Sequence, residues 1–432
     1  MVNLMTKDIK IGISRCRLFD FQNCVSFVAD YCEEFDEKEL FKALKMLSVK
    51  QPLVASIIEL DENGEAFLQT EKVNSEIKFL DADVSEFIKG YRKNGIDLSE
   101  SLFKFFVLNK KTLVIFSHTV VSDAKSLLVL AEELISYYNK ERVSVEPEEI
   151  KLFSNDDELP NEVQSFVAER VTEVLENKWL MKPEKYTSED YKKAKESFHN
   201  KTGETEIVEY CIDDDLSGKL SLRCKELKID FSSAVAFAFM KALSEKTKCS
   251  KKIHKANIQL DRRPYFVDSK TYSVGALNGT VSVDLPEGKK SLTEQVKTFH
   301  ENYYKKFAIC FNAFYNEFFL SRLSPWFLDS TFMYKAGKCR NKATKKLATL
   351  YGCEQQFLMG FASYNLKQKT WEKLSTFNHI CVKEPHKSNE NVSVSLVMGV
   401  KNVLYLECNP VVLKRENIEE ILTRFVSVLN QI

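Results

Sequence analysis

The residues best placed for chemistry fall in one short run, 113–130, which reads LVIFSHTVVSDAKSLLVL. LVIFSH is rich in β-branched and aromatic residues and reads as a strand that ends on His118 and Thr119. Ser122 or Asp123 then caps a helix to about Tyr138, with Leu127, Leu130, Ala131, Leu134 and Ile135 on its inner face. Side chains at the end of a strand and the start of the next helix are well placed to line a cleft. The chemistry on offer is proton transfer at an imidazole, hydrogen bonding from hydroxyls and charge from a carboxylate. Histidine is scarce: the chain has six, at 118, 199, 254, 300, 379 and 386, so histidine-dependent chemistry has few candidates. His379 and His386, in FNHICVKEPHKSNE, read as solvent-exposed in a polar loop. The eleven cysteines form no CxxC pair and no Cys/His spacing suited to zinc. They read as reduced thiols and small buried apolar residues, and no metal site is expected.

The elements around that run alternate. DEKELFKALKML (36–47) has acids in its first turn and apolar residues at helical spacing. PLVASIIEL, the turn DENG and EAFLQT read as a hairpin, as do FKFFVL, NKK and TLVIFSH. The acidic stretch 143–162, with two prolines, reads as a connection. Beyond it come a helix near 161–177, a strand at 206–212, a helix from Asp230, strands at KANIQL and GTVSVDLP, and a helix opened by a Ser291/Glu294 capping box. NVSVSLVMGV and KNVLYLECN form a closing hairpin before an amphipathic helix. The halves share a loose order of elements, which suggests two similar α/β lobes, 1–150 and 151–432.

Composition narrows the classes. With 62 basic and 62 acidic residues the net charge is zero, so no basic footprint for nucleic acid is present. At 44% hydrophobic and 29% charged, 432 residues can bury a large core. No apolar run approaches the ~20 residues that span a bilayer. No signal peptide is visible behind the first charges, so cytoplasm is the default, and a monomer is expected.

The run 113–130 resembles the HHxxxDG signature of the CoA- and carrier-protein-dependent acyltransferases, which include the condensation domains of nonribosomal peptide synthesis and the alcohol acetyltransferases. Here it reads His118-Thr119-Val120-Val121-Ser122-Asp123-Ala124. DRRPYFVDSKTYSVG (261–275) is similar to the family's Arg-Pro … Gly segment, with Arg263 before Pro264 and Gly275 twelve positions on. FASYNL (361–366) resembles the Ser-Asn segment beside the family's tunnel, and the first strands and the closing strand and helix are also similar. The resemblance spans nearly the whole chain.

That resemblance implies two chloramphenicol-acetyltransferase-like lobes in a V around a central tunnel. An acyl-CoA or phosphopantetheinyl thioester on an acyl carrier protein would enter from one face as co-substrate, and a small alcohol or amine from the other, with no bound cofactor. Ser122, Gly275, Ser363 and Asn365 carry over as tunnel residues. Asp123 and Arg263 carry over as a structural ion pair, although 140 residues separate them. The departure is Thr119, which stands where the family places its catalytic histidine. His118 matches the motif's first histidine, which shapes the turn, and Ala124 replaces the motif's glycine. A threonine hydroxyl is no general base near neutral pH, and that base contributes about 10²–10⁴-fold. Positioning and carbonyl polarisation would still support a residual rate, and a one-residue bulge would turn His118 inward. Three readings follow: an active acyltransferase, a lapsed member that binds a ligand or partner, or a tunnel reused for cyclisation or dehydration.

Overall fold

The structure is a computed structural model describing residues 9–70, 72–141, 144–150, 166–202, 205–246, 254–265, 274–288, 290–309, 314, 319–320, 322–350, 357–368, 371–385, 387, 389–408 and 413–432. Most of the acidic connection, His386 and three of the cysteines lie outside them.

The first lobe runs β1 (Ile9–Lys10), β2 (Cys24–Tyr31), α1 (Glu37–Lys50), β3 (Ile57–Leu60), β4 (Ala66–Gln69), β5 (Ile77–Leu80), α2 (Val84–Asn94), β6 (Phe103–Leu108), β7 (Thr112–His118) and α3 (Ala124–Tyr138). The second runs α4 (Phe166–Leu180), α5 (Ser188–Thr202), β8 (Glu206–Ile212), α6 (Asp214–Leu227), α7 (Phe231–Lys246), β9 (Lys255–Asp261), β10 (Asn278–Asp284), α8 (Leu292–Phe307), α9 (Pro325–Lys335), α10 (Lys342–Leu350), β11 (Phe357–Asn365), β12 (Phe377–Lys383), β13 (Glu390–Met398), β14 (Asn402–Cys408) and α11 (Arg415–Leu429). The lobes are each a mixed sheet with helices. A five-stranded sheet, β12-β2-β7-β6-β5, belongs to the first, and a six-stranded one, β10-β9-β11-β13-β14-β8, to the second. One strand crosses over: β12 comes from the second segment and pairs antiparallel with β2.

Local sequence explains the elements that carry the site. The β6–β7 turn places Asn109 and Lys110 at φ 50° and 62°, the type I′ geometry that matches the twist of paired strands. The strands it joins are buried on both faces. Phe105, Ile115 and Leu113 pack toward α1 and α3, while Phe106, Val114 and Phe116 pack toward Phe87 and Tyr91 of α2. The register of β2 with β7 runs unbroken to Cys24 opposite His118, so no bulge rotates the strand end. Helix α7 is apolar all round, with 234–240 entirely buried, as expected of a helix in the middle of a core. No helix among the described residues is long and apolar enough to cross a membrane.

The reading of His379 as a loop residue is corrected. It lies on β12, half-buried, with Nε2 3.1 Å from Glu209 Oε2 and 2.9 Å from the Tyr405 hydroxyl. Among the described cysteines, Cys24, Cys224, Cys339 and Cys408 are buried, whereas Cys32 and Cys211 are exposed.

Candidate functional site

Asp123 is the N-cap of α3, and its Oδ1 accepts the Ser126 N–H at 2.8 Å. Its carboxylate also receives Arg263 in a bidentate pair, Nη1 to Oδ2 and Nη2 to Oδ1, both at 3.1 Å. The Leu277 N–H donates to Oδ2 at 3.1 Å. The structure thus joins the two residues that the resemblance pairs, and both side chains are 1% exposed. A buried ion pair is tolerable only when its remaining donors and lone pairs are satisfied. Here they are: Arg263 Nη1 also reaches Asp261 Oδ1 at 2.9 Å and Nη2 the Ser126 hydroxyl at 2.9 Å. Burial alone would draw the Arg263 pKa down, but Asp123 and Asp261 hold it above its ordinary value. Burial likewise pushes Asp261 up, and Arg263 and Lys125 more than reverse it.

Ser126, one turn into α3, is the hub that sequence reasoning missed. Its hydroxyl lies 2.8 Å from Asp123 Oδ1, 2.8 Å from the Gly275 carbonyl and 3.0 Å from the Gly275 amide. Gly275 is therefore part of the scaffold through its backbone, buried behind the pair. Ala124 at the motif's glycine position has no positive φ, so the substitution carries no backbone strain.

In front of the pair opens a cleft of about 250 Å³ at the junction of the lobes. Asp123, Lys125 and Leu128 of α3 form one wall, and Gln259, Asp261 and Arg263 of the β9 end another. Ser363, Tyr364 and Asn365 of β11, with Gln368 and Trp371, close it. Ser363 and Asn365 are exposed on the strand's open face. Four of the residues singled out in the sequence, Asp123, Arg263, Ser363 and Asn365, thus share this cleft, whereas His118, Thr119 and Ser122 do not line it. The Ser122 hydroxyl turns onto the Asp123 carbonyl at 3.2 Å.

His118 is wholly buried. Its Nδ1 accepts the Val120 N–H at 3.1 Å, which places the ring proton on Nε2 and fixes the turn after β7. Burial, then nearby Lys195, holds its pKa down at about 3. It stays neutral across the physiological range and is a weak base. Thr119 is 7% exposed; its amide donates to the Asn23 carbonyl at 2.9 Å. Ser117 Oγ and Thr119 Oγ1 have no hydrogen-bond partner among the described residues, whereas the Leu18 backbone lies close enough to the His118 ring to favour its protonated form slightly. Such orphans are few in native proteins, and two flanking His118 single out this strand end.

Glu384, just past β12, also escaped sequence reasoning. Its Oε1 accepts the Ala124 N–H at 2.7 Å and the Gln259 side-chain N–H at 3.0 Å. Burial, with Asp123 nearby, raises its pKa to about 7. Its segment, KEPHKS, carries no local signal; only the crossing of β12 brings it to α3. A second cleft, about 380 Å³, lies on the α2 side, lined by Cys24, Lys89, Arg92, Lys93, His199 and Glu407 among others. There Glu407 Oε2 meets Arg92 at 2.7 Å and Lys383 at 3.1 Å.

No family model and no curated protein sequence matches the chain. Solved structures do. The condensation domain from the monacolin K polyketide synthase MokA is similar over 99% of this chain and 97% of its own, with a TM-score of 0.65 and 11% identity. The epimerization domain from the third module of tyrocidine synthetase B covers 98% and 97%, with a TM-score of 0.63 and 12% identity. The chain has the condensation-domain fold. Polyketide synthase associated protein 5 from Mycobacterium tuberculosis has that fold too, at a TM-score of 0.60 and 13% identity over 98% of both chains. The expected α/β class with two lobes is therefore found, at identities that speak for fold alone.

Proposed function

We propose that this condensation-domain fold moves an acyl group from a CoA or carrier-protein thioester to a hydroxyl or amine, with the 250 Å³ cleft as the reaction site. The observation that carries the reading is the convergence of Asp123 and Arg263 with Ser363 and Asn365 on one cleft between the lobes. The ion pair fixes the start of α3 against the second lobe, so the walls of the cleft keep a set separation. Ser363 and Asn365 offer hydrogen bonds to an amide-rich pantetheine arm, beside the Lys125–Asp261 ion pair on the cleft wall. In this reading His118 shapes the turn, and Thr119 fills the place of a base without acting as one.

A second reading, a lapsed member that binds a ligand or partner, is favoured by the burial and neutrality of His118 beside Thr119. Thiol release from a panel of acyl-CoAs with amines and alcohols separates the two. We expect the wild type to release thiol above the uncatalysed rate and His118→Ala to lose stability before chemistry. Activity that arises only in Thr119→His, with none in the wild type, would contradict the acyltransferase reading.

A further inference from the structure

The second cleft, about 380 Å³ on the α2 side, shares no lining residue with the first. We propose that it binds a small oxyanion, a phosphate monoester or a carboxylate, with a hydroxyl or amino group beside its charge. This site is separate from the acyl-transfer reading and does not depend on it.

The walls suit a polar ligand and not an acyl chain. Only Cys24, Gly90, Ile207 and Pro385 among the lining residues lack a polar side chain of any strength. On α2, Lys89, Arg92 and Lys93 stand at i, i+3 and i+4, so one stretch of helix presents all three. Helix α5 adds His199 and Asn200, β14 adds Glu407, and Thr205 comes from just before β8. Elements of both lobes therefore converge on this cleft.

Its charges do not balance. Glu86 pairs with Lys89 at 2.9 Å. Glu407 is shared, with Oε2 2.7 Å from Arg92 and 3.1 Å from Lys383, while Oε1 accepts the Thr205 hydroxyl at 3.1 Å. The Arg92, Lys383 and Glu407 side chains are all buried, at 8%, 1% and 2% exposed. Two buried cations thus share one carboxylate, and the cluster keeps a surplus positive charge out of water. Such a charge is costly unless a counter-ion meets it. Burial draws the Lys383 pKa down, Glu407 opposes that, and Arg92 adds to it. Glu206 and Asp97 act instead on Lys89 and Lys195. Lys195 adds to the positive field, since its ammonium donates to the carbonyl of Asn94, a lining residue. Arg92 carries the surplus to the cleft wall, where an oxyanion would meet it.

Two neutral groups in the same wall also lack partners. The Gln22 side-chain oxygen and His199 Nε2 are buried, and no described residue hydrogen-bonds either. Buried polar atoms are nearly always paired, so both mark a place for ligand atoms. Burial, then Lys195 and Lys93, holds the His199 pKa below its ordinary value, which favours the neutral ring. The Gln22 oxygen only accepts, and a bare anion offers it nothing. A hydroxyl or amino group next to the charge satisfies it.

The test is titration calorimetry at low salt with three probes of one carbon skeleton: glycerol 3-phosphate, glycerate and uncharged glycerol. We expect one or both anions to saturate a single site with a Kd of about 1 mM or tighter, and glycerol not to bind. Which anion binds tells a phosphate ligand from a carboxylate. Arg92→Gln leaves Lys383 and Glu407 as a one-to-one pair, and the double variant Lys89→Gln, Lys93→Gln removes charge from the outer part of the same wall. Each is expected to weaken binding about tenfold or more at unchanged melting temperature. Where Arg92→Gln does not fold, the double variant decides. The proposal is overturned if neither anion saturates the wild type, or if glycerol binds as tightly as they do. It is also overturned if the folded double variant binds within about twofold of wild type. Binding is read without turnover, so a failure here leaves the acyl-transfer reading untouched, and the converse holds.

Discussion

Arg263 is a guanidinium held almost wholly out of water, and Asp123 is the chief reason it can stay there. Moving either ion into the interior alone costs several kcal/mol, which explains why each is surrounded by partners. Replacing Arg263 by Met leaves Asp123 buried with only neutral donors, Ser126 and Leu277, among its described partners. We expect Arg263→Met to lower unfolding free energy by roughly 3 kcal/mol in urea titration, within the range seen when one partner of a buried pair is removed. A loss below about 1 kcal/mol would show that the pair does little for the fold. The sequence made this pair legible only through its resemblance to a motif, because nothing local joins residues so far apart. Ser126 and Glu384 stayed hidden for the same physical reason. A serine inside a helix usually satisfies its hydroxyl locally, and here the local contact to Asp123 is joined by Arg263 and Gly275 from far along the chain.

Elements set by local chemistry were readable. Asp36 and Asp123 cap α1 and α3, and the Ser291/Glu294 capping box is formed. The hairpin of β6 and β7 follows from two apolar runs and a polar turn. That turn has a built-in flaw, since Lys110 holds φ 62° with a full side chain. The left-handed region costs a non-glycine residue about 1–2 kcal/mol, part of which glycine gives back in chain entropy. Lys110→Gly is therefore expected to stabilise the protein by about 0.5–1 kcal/mol, read as a higher denaturation midpoint at unchanged slope. A lower midpoint would mean the lysine's own contacts matter more than the backbone. Other elements were not legible. Helix α5, SEDYKKAKESFHNKT, buries only Ala194 and Phe198 in its small cluster and shows little apolar period. Strand β12 reads as a polar loop because its partner β2 lies some 350 residues earlier, and pairing at that distance leaves no mark in a short window.

At the scale of the molecule, three buried ionic clusters among the described residues tie the lobes together. Arg15 binds Asp329 at 2.6 Å across 314 residues, and its other nitrogens reach the Gly64 carbonyl. Arg92 and Lys383 share Glu407. Asp123 and Arg263 are the third, and the exchanged strand β12 adds a backbone link. The result is a junction of fixed geometry, and the cleft opens on it at the start of α3. The central claim is that this cleft holds the thioester while its acyl group moves. Ser363 is exposed at its wall, so Ser363→Trp would fill the space with little effect on the core. The direct measurement is thiol release from an acyl-pantetheine with an amine acceptor, wild type against a Ser363→Trp protein of unchanged melting temperature. Turnover by the wild type above the uncatalysed rate, reduced at least tenfold in Ser363→Trp, is the predicted result. Wild type at the uncatalysed rate, or the filled cleft turning over as fast as the open one, would contradict it.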